Sequence, residues 1–197
     1  MMKIRPLGIE GAWEINPPVH RDTRGAFLEW YRHDRLAETV GQPLELAQAN
    51  LSVSVQGVVR GIHFTDVPPG QAKYVTCVRG AVWDVIVDVR RGSPTFGRWE
   101  PVRLDDTERR AVYLAAGLGH GFCALTGEAT VAYLCSTVYQ PSAERAVHPL
   151  DESLGITWPA AEPILSERDA AAPRLHEAPL PAYAASLART AAHGRGA

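Results

Sequence analysis

Between about residue 45 and residue 140 the chain alternates short runs of strand-forming residues with brief polar interruptions. Residues 71–79, 81–89, 98–104, 111–114 and 129–139 are rich in Val, Tyr, Trp and Thr, which suit a pleated, half-buried surface. Turn residues separate them: Arg79-Gly80, Gly92-Ser93-Pro94, Asp105-Asp106 and Gly117-Leu118-Gly119. Strands at this spacing predict a β-sandwich or barrel. A parallel α/β sheet would need amphipathic crossover helices, and the pattern contains none. One helix is predicted over residues 34–40 and a second short one over 151–156. The N-terminal third, with Arg24-Gly25 followed by Phe27-Leu28-Glu29-Trp30-Tyr31, reads as extended. From about Ala170 the chain is rich in Ala and Pro, and its last residues lack a hydrophobic period. The expected organisation is one domain over residues 1–180 and a mobile tail over 181–197.

Composition narrows the function classes. A chain of 197 residues suits one sizeable core, and 46% apolar with 21% charged residues is ordinary for a soluble globular protein. A net charge of -2 argues against a nucleic-acid partner, while leaving room for a local basic pocket. Cys77, Cys123 and Cys135 are odd in number and lack CxxC spacing, so free thiols in a reducing compartment are expected. The N-terminus has no apolar signal region, and no apolar run is long enough to span a bilayer. A cytoplasmic setting with no membrane partner follows as the expectation.

The chemistry concentrates in Arg60-Gly61-Ile62-His63-Phe64 and the nearby Lys73, with the turn-forming Asp66-Val67-Pro68-Pro69-Gly70 between them. An arginine grips anions, a histidine takes protons near neutral pH, and a lysine steadies an oxyanion. Side chains alternate across a strand, so Tyr133, Cys135, Thr137 and Tyr139 share one face if no bulge intervenes, as do Lys73, Val75 and Cys77. Asp84 stands among strong strand formers, where a carboxylate is either paired or part of a site. His120 is flanked by Gly119 and Gly121, which leave the imidazole uncrowded. Taken singly, each has a structural explanation: a hydrogen-bonded histidine, tyrosines packed at a barrel rim, a solvated lysine, an ion-paired aspartate. The explanation weakens when all converge on one barrel interior. A histidine, a lysine and a tyrosine on different sides of a pocket suit proton abstraction beside a carbonyl with reprotonation on the opposite face, which is racemisation or epimerisation. A metal site on His63, His120 and Asp84 or Glu144 is the competing reading, disfavoured because the Lys73 ammonium would repel the cation.

Several motifs occur in order: Arg24-Gly25-x-Phe27-x-Glu29, Gln48-x-Asn50-x-Ser52-x-Ser54, Arg60-Gly61-Ile62-His63-Phe64 and Gln71-x-Lys73. Gly80-x-x-x-Asp84-Val85-x-Val87-Asp88-x-Arg90, Ser93-Pro94-Thr95-x-Gly97, His120-Gly121-Phe122 and Tyr133-x-x-x-x-x-Tyr139 follow, and then Ile156-x-Trp158-Pro159 and Leu165-Ser166-x-x-Asp169. With these the chain resembles the dTDP-4-dehydrorhamnose 3,5-epimerase family from roughly Gly8 to Leu175. The resemblance implies an all-β, double-stranded β-helix (cupin-like jelly roll) fold with a few short peripheral helices. It also implies a homodimer, no metal and no cofactor. The implied substrate is a dTDP-4-keto-6-deoxyhexose, epimerised at C3 and C5 or at C3 only, in rhamnose or antibiotic-sugar biosynthesis. His63 is the implied base, Asp169 its orienting partner, Tyr133 the acid, and Lys73 the group beside the 4-oxygen. Arg60 and His120 are implied to bind substrate, with Arg60 on the diphosphate. Arg24, Phe27 and Glu29 are implied to hold the nucleotide, partly from the neighbouring subunit. Gln48, Asn50, Tyr139 and Glu144 are further implied binding positions, with Asp84 supporting the site. Arg168 stands where the family commonly has lysine and keeps the charge. Two rival functions remain at this stage: a sugar-nucleotide-binding cupin without catalysis, and a metal-dependent cupin oxygenase or isomerase.

Overall fold

A computed structural model of the chain describes residues 2–41 and 44–184. In chain order its elements are β1 (Lys3–Pro6), β2 (Ala12–Asn16), β3 (His20–Asp22), β4 (Gly25–Phe27), α1 (His33–Val40), β5 (Gln48–Val55), β6 (Val59–Thr65) and β7 (Lys73–Arg79). They continue with β8 (Ala81–Val87), β9 (Trp99–Asp105), β10 (Ala111–Leu114), β11 (Gly119–Ala124), β12 (Glu128–Cys135), β13 (Glu144–Ala146) and α2 (Glu167–Ala170). Six strands form one sheet in the order β1-β2-β10-β7-β12-β5, and five form a second in the order β13-β6-β11-β8-β9. Every ladder between these strands is antiparallel. The short β3–β4 hairpin stands apart from both sheets.

The alternation of side chains explains the layering. On β7, Val75 and Cys77 face inward, and on β8 Val82 and Ile86 do so. They meet Leu104, Val112, Phe122 and Val131 in a core between the sheets. The intervening residues face outward. Val85 and Val87 join Ile62, Phe64, Leu154, Trp158 and Leu175 in a second core under the C-terminal segment. Tyr74 and Leu134 join Ile15, Leu36 and Tyr113 in a third, covered by α1 and its approach. Strands buried on both faces read as continuous apolar runs, which is how β8 appears in the sequence.

The departures from the sequence reading have local causes. The strand expected to reach Tyr139 ends at Cys135. Beyond it the chain turns out of the ladder, with Gln71 Nε2 donating to the Thr137 carbonyl at 2.9 Å. Residues 151–156 form turns rather than a helix. The Asp151 carboxylate accepts from Ser153 N at 2.9 Å and Leu175 N at 2.6 Å, and Gly155 takes a positive φ of 60°. Of residues 24–31, expected to be extended throughout, only Gly25–Phe27 form a strand. The short helix α2 was not anticipated, although Ser166 caps it by accepting from Asp169 N at 3.1 Å. At the far end, Arg91 N donates to the Pro181 carbonyl and Tyr183 N to the Arg91 carbonyl, at 2.8 and 2.9 Å. Arg90 lies over the Tyr183 ring, 5.2 Å from its centroid. Residues 185–197, the rest of the expected tail, lie outside the described residues.

One irregularity positions the site. Along the β6–β11 ladder, His63 pairs with His120 and Arg60 with Phe122, so three steps on β6 match two on β11. The extra residue is a bulge, and it puts Arg60 and His63 on the same side although an odd spacing separates them. Gly61 makes this possible. Its φ is 116°, and a Cβ there would lie 2.5 Å from the His120 carbonyl oxygen and 2.6 Å from Gly121 Cα. Gly61→Ala is therefore expected to destabilise the fold by at least about 2 kcal/mol in urea denaturation. Gly127→Ala, at a position with nothing within 4 Å of the added carbon, is expected to change stability by no more than about 0.5 kcal/mol.

Candidate active site

Where the apolar core ends, the inner faces of both sheets turn polar. On the six-stranded sheet, β7 continues its inward row from Val75 to Lys73. The β12 partners in register are Tyr133 opposite Val75 and Cys135 opposite Lys73. The edge strand β5 adds the inward row Gln48, Asn50, Ser52 and Ser54. From the five-stranded sheet come Arg60 and His63 on β6, His120 and Phe122 on β11, and Asp84 on β8. These groups surround two adjoining hollows. The larger, about 390 Å³, is lined by Gln48, Asn50, His63, Gln71, Lys73, Tyr133, Tyr139, Glu144 and Arg168. The smaller, about 150 Å³, is lined by Ser52, Arg60, His63, Lys73, His120, Phe122 and Tyr133. His63, Lys73 and Tyr133 belong to both and so stand where the two meet.

Two histidine–aspartate pairs flank this junction. His63 Nε2 lies 2.6 Å from Asp169 Oδ1. Burial alone would raise the Asp169 carboxyl, but hydrogen bonds from His63, Ser166 and the Gly61 N–H outweigh it and hold the group below the usual carboxylate range. An ionised carboxylate only accepts, so Nε2 carries the proton and Nδ1 of the neutral ring keeps its lone pair. His120 Nε2 lies 2.8 Å from Asp84 Oδ2, and both residues are buried. The second Asp84 oxygen, Oδ1, is buried without a protein partner among the described residues.

Lys73 and Tyr133 are tuned by burial. Burial pushes the Lys73 amine below its ordinary value, and the nearby carboxylates of Glu144 and Asp84 only partly offset it. No hydrogen bond or ion pair holds this amine among the described residues. Burial pushes the Tyr133 phenol up, with Cys135 adding to the effect, so the hydroxyl keeps its proton at neutral pH. The rest of the lining is braced. Arg60 Nε donates to Ser54 Oγ at 3.0 Å and Nη2 to the Val53 carbonyl at 3.2 Å. Gln48 donates to Asn50 Oδ1 at 2.8 Å and accepts from Tyr139 N at 2.7 Å. Asn50 Nδ2 contacts Cys135 Sγ at 3.6 Å.

The residues weighed as metal ligands are arranged otherwise. His63 and His120 each commit Nε2 to a different carboxylate, and Lys73 lines the hollow they share. Among the described residues no group of three or more His, Cys, Asp or Glu is placed to share a metal ion.

Residues 6–177 match the sequence pattern of the family described as dTDP-4-dehydrorhamnose 3,5-epimerase. The chain belongs to this family. It is 64% identical over 193 residues to a dTDP-4-dehydrorhamnose 3-epimerase of Streptomyces niveus, covering 96% of this chain and 93% of that one. Its structure superposes with a TM-score of 0.92 on NovW, a 4-keto-6-deoxy sugar epimerase from the novobiocin cluster of Streptomyces spheroides, at 62% identity and 96% coverage of both. ChmJ, a 3'-monoepimerase of Streptomyces bikiniensis solved with dTDP-quinovose, matches at a TM-score of 0.84 and 55% identity over 87% of each chain. The fold is the cupin-type fold of these epimerases. The chain is an isomerase that epimerises a dTDP-4-keto-6-deoxyhexose at C3 and C5, or at C3 only, in rhamnose or antibiotic deoxysugar biosynthesis.

Within this epimerase, most residues expected from the sequence converge. Tyr139 arrives from a loop rather than along the strand of Tyr133, and Arg168 arrives on α2. Arg24, Phe27 and Glu29 line neither of the two hollows. Arg24 and Phe27 belong to the exposed β3–β4 hairpin and line a separate concavity. Arg24 pairs with Asp22, and Glu29 with Arg32. The sequence reading gave no role to Gln71, Ser52, Phe122 or Cys135, although all lie at the site. Gln71 and Ser52 were detectable by strand parity with Lys73 and Asn50.

The Lys73 shift has a stability consequence. An amine whose folded pKa is depressed is disfavoured in its charged form by folding. The cost is fully present below the folded pKa and disappears as pH rises past the ordinary lysine value, about 10.4. Lys73→Met is expected to abolish turnover yet raise stability at pH 7 by on the order of 1–3 kcal/mol. The gain should shrink as thermal unfolding is followed toward pH 10.

Proposed function

We propose that the chain epimerises its substrate without metal or cofactor, with His63 as base, Tyr133 as acid and Lys73 as the oxyanion partner. The observation that carries this reading is that His63 and Tyr133 come from opposing sheets yet line the same cavity as Lys73. The 4-ketone acidifies the C3 hydrogen. His63 removes that proton, and the C–H electron pair moves into an enolate whose negative oxygen faces the Lys73 ammonium. The Tyr133 hydroxyl then gives a proton to the opposite face of C3, the ketone re-forms, and exchange with solvent resets the two residues. Asp169 orients His63 and stabilises its imidazolium. His120, held by Asp84, binds the sugar. Arg60 takes the diphosphate, Gln48 and Asn50 contact the nucleotide, Tyr139 contacts the nucleotide or the sugar, and Glu144 and Arg168 are further substrate-binding positions.

A homodimer completes the site in this reading. The β3–β4 hairpin is exposed at every residue, and Phe27 is 70% exposed. The outward row of the edge strand β5, Leu51, Val53 and Val55, is an exposed apolar stripe. Pairing two copies along this stripe would cover it and carry the hairpin of one copy, with Arg24 and Phe27, to the substrate of the other. Val53→Glu should then shift the sedimenting species from dimer to monomer and weaken dTDP binding at least tenfold. A monomeric wild-type chain would overturn the dimer. A cytoplasmic setting fits the three buried free thiols.

The chemical test is turnover of dTDP-4-keto-6-deoxyglucose in deuterium oxide, with proton NMR of both stereocentres. Deuterium should enter at C3 with inversion, and the signal at C5 reads whether the second centre follows. His63→Ala should cut exchange by about a thousandfold or more. Tyr133→Phe should retain exchange while inversion falls by about a hundredfold. Binding of dTDP with no deuterium in the sugar would identify a non-catalytic binding protein instead.

A further inference from the structure

The inward row of β5 contains one polar side chain with no hydrogen-bond partner among the described residues. Gln48 is bonded to Asn50 and to Tyr139 N, Asn50 to Cys135, and Ser54 to Arg60. Ser52, between them, has its Oγ enclosed and without a partner among the described residues. Its neighbour across the ladder is Val131, which offers no side-chain hydrogen bond. Arg60 is not its partner, because Nε and Nη2 are directed to Ser54 and Val53. Ser52 nevertheless lines the smaller hollow together with Arg60, His63 and Lys73. An enclosed hydroxyl is a group that calls for a hydrogen-bonding partner, and in a ligand site the ligand can supply it.

We infer that Ser52 is a specificity-determining residue that hydrogen-bonds the C2 hydroxyl of the hexose. The inference rests on the placement of the substrate under the proposed function. C1 carries the diphosphate that Arg60 receives, and C3 is the carbon that His63 deprotonates. C2 lies between them in the ring, and Ser52 shares one hollow with both residues. The hydroxyl both donates and accepts, so it fits an alcohol. A site built this way favours a sugar with oxygen at C2 over its 2-deoxy counterpart, because with the latter the Ser52 hydroxyl has no ligand partner.

The test compares kcat/KM for dTDP-4-keto-6-deoxyglucose and dTDP-4-keto-2,6-dideoxyglucose in the full-length wild type and in Ser52→Ala. The preference of the wild type for the 2-hydroxy sugar should fall by about tenfold in the variant, chiefly through the 2-hydroxy substrate. Ser52→Gly removes the same hydroxyl without adding bulk and should show the same shift. Ser52→Thr, which keeps the hydroxyl, should retain the preference. An unchanged ratio in both Ala and Gly variants would overturn the inference. Equal slowing of the two sugars would assign Ser52 to packing or to the diphosphate. If the wild type epimerises neither sugar, the epimerase reading itself fails, an outcome distinct from a wild type that turns over both at a ratio indifferent to Ser52.

Discussion

The close approach of β6 and β11 at Gly61 is the constraint on which the site depends. In a regular strand Arg60 and His63 would point to opposite faces, one into the cavity and one into the second core. The extra residue on β6 changes that parity. Val59 and Ile62 both pack outward under the C-terminal segment, and both charged or titratable neighbours turn inward. The same contact sets His63 opposite His120, so one backbone irregularity places Arg60, His63 and His120 in one cavity. A side chain at Gly61 would push against the His120 carbonyl, which ties the packing between two strands to the position of the base.

In the proposed mechanism the buried Lys73 amine serves an oxygen that becomes negative only as the reaction proceeds. Two carboxylates are committed to two histidines, and Lys73 is buried with no hydrogen-bond or ion-pair partner among the described residues. An unpaired buried amine destabilises the free protein. It also interacts strongly with an oxygen that becomes negative beside it, because few water molecules screen the pair. The destabilisation in the free state and the stabilisation of the enolate share one cause.

Sequence reasoning recovered the layers better than their exceptions. Val, Tyr and Trp runs located β7, β8, β9, β10 and most of β12, because buried strands advertise themselves by composition. Alternation put Lys73 with Val75 and Cys77 on the inner face. It failed at Tyr139, which lies past the end of its strand, and it could not have placed Arg60 beside His63 on β6, where a bulge is invisible to any parity count. The helix α2 was too short to carry a hydrophobic period, and its only local signal was the Ser166 cap. Asp169 as the partner of His63 came from the family resemblance alone, since a contact between residues so distant in the chain leaves no mark in composition. The hairpin bearing Arg24 and Phe27 was read as extended and is so, but nothing local reveals that it lies away from the cavity of its own chain.

The topology itself suits two-faced proton chemistry. An epimerase must present a base to one side of a carbon and an acid to the other, and a single strand or sheet offers only one direction. Here the proposed base, His63, stands on β6 and the proposed acid, Tyr133, on β12, members of different sheets that line one cavity. A planar enolate held in that cavity has one sheet on each side. The distance between base and acid is fixed by side chains packed deeper in the sandwich, such as Val75, Ile86, Phe122 and Val131, rather than by mobile loops. The distinction between one inverted centre and two then reduces to which ring carbons His63 and Tyr133 can reach in turn. That reach is set by how the sugar sits beside β5, where the hydrogen bond inferred for Ser52 would hold C2, a carbon that does not react.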